Sequence, residues 1–282
     1  MDTISRLRFD PITPHTGSVA SEIDLARPLS SATAAAIRQA VMDHGVVFFR
    51  NQDLTQDQMA AFMQNFGTLE EDPFSVPSPE PLSPREHVRE LVTMPTSKAT
   101  AVWHIDSTIA PEPSSFLSLR ALELPESGGG DTCWGSMIAA YEGLSPPLRD
   151  LADRLFAEHT AFKVIPLMDP GSYGYVHGDM RTVHPVVRVH PQSGRRALFV
   201  NELWTERLVD MAPHESEGLL ALLYAHARRP EYTMRWRWQR NDIAVWDNRS
   251  FQHYAVRDYT ERRVMEKTNI AGDRPFGPTS RT

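Results

Sequence analysis

The apolar segments of this chain are short, and most of them lack a helical period. VVFFR (46–50), residues 115–123, YTMRWRW (232–238), DIAVWD (242–247) and residues 262–271 each hold one strand's worth of β-branched, aromatic and aliphatic side chains. Helical patterns are confined to residues 31–44, 55–66, stretches near 136–143 and 147–157, and residues 213–228. A parallel α/β sheet needs a crossover helix after nearly every strand, and this order does not supply one. Short strands with scattered helices are buried by folding antiparallel sheets onto one another. The expected fold is therefore mainly β with flanking helices, a β-sandwich or jelly roll. No boundary divides the 282 residues, so one domain is expected over 1–282.

Local signals sharpen this reading. Gly45 stops the first helix, and Thr55 with Gln58 forms a capping box for the second, which Gly67 closes. HPVVRVHPQSGRRALFVN (184–201) reads as a hairpin turning at Pro-Gln-Ser-Gly. Between 72 and 98 stand six prolines, and residues 160–184 are irregular. Loops of that length in a compact domain usually have a use, so both are expected to act as lids.

Composition narrows the partners. The formal charge is −7 with no basic run, which argues against nucleic acid. Cys133 is alone, so no intrachain disulfide can form, and a reducing, cytoplasmic location is expected. MDTISRLRFD lacks the apolar centre of a signal peptide, and no apolar run approaches the ~18–20 residues of a membrane span. Homo-oligomerisation is left open.

AVWHIDST (101–108) sets an imidazole and a carboxylate two residues apart among strand-forming residues. In a strand, residues i and i+2 share a face, so His104 and Asp106 would project together. They would make two adjacent metal ligands. With a second His and open positions they would form the facial triad of a non-haem iron oxygenase. The ordinary reading is a surface His beside a surface Asp. Most of the eleven histidines have structural explanations: His184 and His190 precede prolines in the hairpin, and His214 and His226 follow a helical pattern. His159 and His177 could line a pocket. His253 differs, because it heads a strand between two strongly β segments.

Ten residues on, Arg263, Met265, Lys267 and Asn269 share one face of the 262–270 strand, and Val264, Glu266, Thr268 and Ile270 share the other. Two cations turned inward would require an anion. Turned outward, they would be solvated. Spacing alone leaves the facing open.

The blocks DHGVVFFRNQDLT, WHIDST, LPESGGGDTCW, HPVVRVHPQSGRRALFVNE, RWRWQRNDIAVWDNRSFQHYA and RRVMEKTNIAGDRPF resemble the taurine dioxygenase family of Fe(II)/2-oxoglutarate-dependent oxygenases, from about residue 8 to 277. The resemblance implies a double-stranded β-helix, or jelly roll, with Fe(II) held by His104, Asp106 and His253. It implies that Arg263 and Lys267 face inward, and that Arg263, assisted by Thr132, holds the distal carboxylate of 2-oxoglutarate. The implied reaction consumes O2 and 2-oxoglutarate, releases succinate and CO2, and oxidises, typically hydroxylates, a C–H bond of a small-molecule substrate. Because Asp106 is present, halogenation is not expected. In members acting on taurine, a His and an Arg hold the sulfonate where this chain has Asp72 and Lys267. That departure implies a poor fit for taurine. Asp72 and Lys267 could instead pair with each other or read opposite ends of a zwitterion. Two alternatives use the same ligands: a metal-dependent hydrolase, which gives Arg263 no role, and a non-catalytic metal-binding protein.

Overall fold

The computed structural model describes residues 7–71, 78, 80–93, 101–161 and 180–280. In chain order the strands and helices begin with β1 (Arg8–Pro11), β2 (Ser18–Ser21), α1 (Ser31–His44), β3 (Val46–Phe49), α2 (Gln56–Met63), β4 (Leu69–Glu70) and β5 (Arg89–Thr93). They continue with β6 (Phe116–Glu123), β7 (Thr132–Ser136), α3 (Met137–Glu142), α4 (Pro146–Ala152), β8 (Phe156–Thr160), β9 (Arg181–Pro185), β10 (Val187–Val189) and β11 (Arg196–Leu198). The last are β12 (Thr205–Leu208), α5 (Pro213–Ala227), β13 (Thr233–Trp236), β14 (Ile243–Asp247), β15 (Phe251–Ala255) and β16 (Arg263–Ile270).

The largest sheet has the order β1-β2-β3-β14-β6-β16-β4, with β5 also paired to β16. A smaller sheet, β13-β7-β15, faces it. Between the two lies an aromatic core in which Phe48, Trp134, Trp236, Trp238 and Trp246 meet Leu117, Ala244 and Met265. On the other face of the large sheet α1 and α2 bury Ile37, Val41, Met59 and Met63 against Val47, Phe49, Ile243 and Val245. Alternation along β14 thus feeds both cores, Ala244 and Trp246 to one side and Ile243 and Val245 to the other. This is the mainly β, jelly-roll architecture expected, with the sheets left open rather than closed into a barrel.

The caps form as the sequence indicated. Gly45 adopts φ 78 behind α1, and Thr55 and Gln58 exchange both bonds of the capping box. Several boundaries differ. α2 ends at Met63, with tighter turns carrying the chain to Phe66. The pattern at 147–157 divides: α4 stops at Ala152, and Phe156 is drawn into β8 by pairing with Pro185. That pairing also takes His184 and Pro185 out of the expected hairpin, which narrows to β10 and β11. Of the two expected lids, residues 72–77, 79, 94–98 and 162–179 lie outside the described residues. Within the first, residues 84–87 form a 3-10 turn, and β5 pairs along β16.

Candidate active site

His253 sits at the centre of β15, and His104 is its partner in an isolated β-bridge. The two residues exchange backbone bonds, His104 N–H to His253 O at 2.9 Å and the reverse at 2.8 Å. The strand expected over 101–108 does not form. Its one ladder contact among the described residues is that bridge, and Ser107, at φ 62, turns the chain away directly after Asp106. The i, i+2 pair therefore converges through one bridge and one turn.

One ligand atom each from His104, Asp106 and His253 lies within 4.8 Å of the others, and all three residues are buried. The His104 Nδ1–H donates to Val102 O at 2.7 Å, which leaves the Nε2 lone pair facing Asp106 Oδ1 at 3.5 Å. Such a backbone bond fixes the tautomer of a metal-ligating His. His253 Nε2 lies 3.8 Å from Asp106 Oδ2. Burial lowers the pKa of both imidazoles, and for His253 the neighbouring His104 adds to the effect. Burial alone would raise the Asp106 carboxyl, but the Lys267 ammonium and the two imidazoles outweigh it and hold the group well below the usual range. Two neutral nitrogens and one carboxylate result, a donor set that fits a divalent iron with open positions.

β16 settles the facing question. Arg263 and Lys267 lie on the same side as Met265, which belongs to the core between the sheets. The other side is not solvated either. Glu266 is 2% exposed and pairs with Arg120 at 2.8 Å. Both faces are covered rather than one wet and one dry, because α2 packs over the outer face. Lys267 Nζ meets Asp106 Oδ2 at 3.0 Å. Asp72, its other expected neighbour, lies outside the described residues.

Arg263 is 6% exposed, and its Nε and Nη2 find no hydrogen-bond partner among the described residues. Burial brings its pKa down to about 10, so it stays charged at neutral pH. Gly130 packs against it. A Cβ there would stand 3.0 Å from Arg263 Cδ, and the backbone holds φ +71. Thr132 opens β7 and accepts a bond from Trp238 Nε1–H at 3.0 Å. An indole N–H only donates, so the threonine hydroxyl hydrogen is left for another acceptor.

Sequence reasoning missed Gly130, Trp238 and Asn248. The triple glycine was the visible trace of the first. Nothing local marked the other two, because their partners are 106 and 142 residues away. His184 and His190, expected to be structural, make structural bonds, and so does His159, for which the sequence leaves a pocket role open. His184 Nε2–H donates to Thr108 O and Ala110 O at 3.0 and 3.1 Å, and His190 Nε2 meets Asp247 Oδ2 at 2.9 Å. His159 is fully buried, with Nδ1 2.9 Å from Thr108 Oγ1, and His177 lies outside the described residues.

The model of the "Taurine catabolism dioxygenase TauD, TfdA family" matches residues 8–268. The chain belongs to this family. It is 35% identical to an alpha-ketoglutarate-dependent sulfate ester dioxygenase of Pseudomonas putida, over 96% of this chain and 91% of the relative. Among solved structures, a taurine dioxygenase from Burkholderia xenovorans superposes with a TM-score of 0.82 at 34% identity, covering 98% of this chain and 92% of that one. A structure titled AAD-2 in complex with Mn(II) and N-oxalylglycine superposes with a TM-score of 0.80 at 26% identity, over 95% and 98%. This member of the TauD family is an Fe(II)/2-oxoglutarate-dependent dioxygenase, and its general reaction is hydroxylation of a small molecule's C–H bond. No helix among the described residues is long and apolar enough to cross a membrane.

Proposed function

We propose that His104, Asp106 and His253 hold one Fe(II), that Arg263 and Thr132 hold the distal carboxylate of 2-oxoglutarate, and that Lys267 receives the anionic group of a small organic substrate. The observation that carries this reading is the pair of cations on the inner face of β16, one with unmet donors and one beside the candidate metal ligand. Bound at the triad, iron supplies the oxidising chemistry: O2 decarboxylates 2-oxoglutarate to succinate and CO2 while a substrate C–H becomes C–OH.

The chain's own residues do the rest. Neutral His104 and His253 present lone pairs rather than protons. Arg263 stays charged in a dry pocket and matches a carboxylate with its planar fork. Thr132 turns its hydroxyl hydrogen toward the same carboxylate because Trp238 occupies the oxygen. Lys267 Nζ, 3.0 Å from Asp106 Oδ2, puts a positive charge beside the candidate metal ligands, where an anionic substrate group would be attracted.

The relatives named for sulfate esters and for taurine act on sulfur oxyanions. A sulfate monoester is the first substrate to try. Hydroxylating the carbon that bears the ester oxygen gives an adduct that breaks the C–O bond, yielding an aldehyde and hydrogen sulfate. Taurine is expected to be poor, because this chain has Asp72 and Lys267 where members acting on taurine have a His and an Arg.

The test measures succinate with Fe(II), O2 and 2-oxoglutarate against an alkyl sulfate, taurine and the matching neutral alcohol. The alkyl sulfate should give succinate and aldehyde in equal amounts, and Asp106→Ala should give neither. Equal turnover of the neutral alcohol would remove the anion-binding role of Lys267. Full activity of Asp106→Ala would remove the metal assignment.

A further inference from the structure

The segment that carries His104 and Asp106 has almost no ladder of its own, yet both side chains must aim at one point. The backbone of each ligand residue is itself held. At His104 the partner is the backbone of His253, through the bridge described above. At Asp106 the partner is a side chain. Asn248 Oδ1 accepts the Asp106 N–H at 3.0 Å, and Asn248 Nδ2–H donates to Asp106 O at 3.0 Å. The second amide hydrogen goes to Ser114 O at 2.9 Å. Asn248 is 1% exposed, and its own N–H donates to Ser115 O at 2.9 Å.

A carboxamide that accepts from and donates to one residue's backbone reproduces what a neighbouring strand would supply. Here it stands in for a strand that the left-handed Ser107 forbids. Asn248 lies in the turn between β14 and β15, and β15 carries His253. The β14–β15 connection, which crosses from one sheet to the other, therefore delivers the third candidate ligand and, through His253 and Asn248, grips the backbone of the other two.

We propose that Asn248 is a positioning residue of the metal site, acting on Asp106 through its backbone. The inference rests on the reading of His104, Asp106 and His253 as the metal site. Only Asn meets all these demands. Asp keeps the acceptor but loses both donors, and its charge would face two carbonyl oxygens. Gln is a methylene too long for a pocket this closed.

The experiment titrates Co(II), a spectroscopic stand-in for iron, into the metal-free full-length protein, its Asn248→Ala variant and its Asn248→Asp variant. Co(II) absorption reports affinity and coordination, and the thermal unfolding of each metal-free form is recorded separately. Ligand-orienting partners typically contribute about 10–100-fold to metal affinity. Each variant that folds should therefore bind Co(II) at least ~10-fold more weakly, with an altered ligand-field spectrum, whatever its unfolding temperature. If Asn248→Ala does not fold, the near-isosteric Asp variant decides alone. An unchanged spectrum with a dissociation constant shifted by less than ~10-fold would reduce Asn248 to a structural role. Failure of the parent protein to bind one Co(II) would instead overturn the metal site itself, and with it this inference.

Discussion

Arg249 and Arg263 are both buried arginines, and their surroundings could hardly differ more. Arg249 gives Nε–H to Asp247 Oδ1 at 2.8 Å, Nη2–H to Asp247 Oδ2 at 2.6 Å and Nη1–H to Gln192 at 2.7 Å. Its counterion, Asp247, also takes His190 and is completely buried. The network closes on itself. Arg263, about as deep, leaves Nε and Nη2 without a partner among the described residues. A protein that can satisfy one buried guanidinium so fully has no chemical difficulty with a second. The unmet donors at Arg263 are what the proposed grip on an incoming carboxylate requires. The same contrast separates the histidines: His184 and His190 are closed on carbonyls and a carboxylate, while His104 and His253 turn ring nitrogens toward Asp106.

The largest expected effect breaks the closed side. Arg249→Ala strands a fully buried carboxylate and should lower stability by about 3–5 kcal/mol in denaturant unfolding. A loss below about 1 kcal/mol would show that this network is not what holds the β14–β15 turn.

The second acts on the closed histidine. The His184 pKa is pushed down to about 4, chiefly by burial, against the two carbonyl bonds that raise it. Below its ordinary value of 6.5 the unfolded chain takes up a proton that the folded one refuses. Stability is then lost as the pH falls from about 6.5 toward 4, on the order of 3 kcal/mol in total. His184→Gln, which can still donate to the carbonyls, should flatten the unfolding temperature over that range. An unaltered slope would assign the pH dependence to other groups.

The smallest effect sharpens the open side. Gly128→Ala and Gly130→Ala both force a side chain into left-handed backbone, at about 1–2 kcal/mol each. Only the methyl at 130 would reach Arg263, since nothing stands within 4 Å of a Cβ at 128. Both should lower the unfolding temperature, and only Gly130→Ala should weaken 2-oxoglutarate binding. Equal weakening by both would show that the turn acts through its backbone rather than through contact.

Much of this is legible in the sequence, and the limits have physical causes. Short strands, caps and the absence of crossover helices announced the jelly roll. The order of His104, Asp106, His253 and Arg263 announced the site through its resemblance to a family. Two kinds of information were hidden. Covering elements do not show in a strand's own alternation, so the buried Glu266–Arg120 pair under α2 could not be read from RRVMEKTNI. Side chains that serve a distant backbone carry no local signature, so Asn248 and Trp238 look like ordinary residues of WDNRS and RWRW. The composition around Asp106 is that of a strand. One left-handed serine and one asparagine make the segment something else.

The measurement closest to the central claim is an anaerobic titration of 2-oxoglutarate into the Fe(II)-loaded protein and its Arg263→Ala variant, with unfolding of both metal-free forms recorded alongside. A half-made charged pair in a dry site costs about 2–5 kcal/mol. The dissociation constant should therefore rise at least ~30-fold, while the stability of the metal-free variant stays level or increases because an unpaired buried charge is gone. A rise below ~3-fold would contradict the account and pass the cosubstrate's carboxylate to another cation, with Lys267 the first to examine.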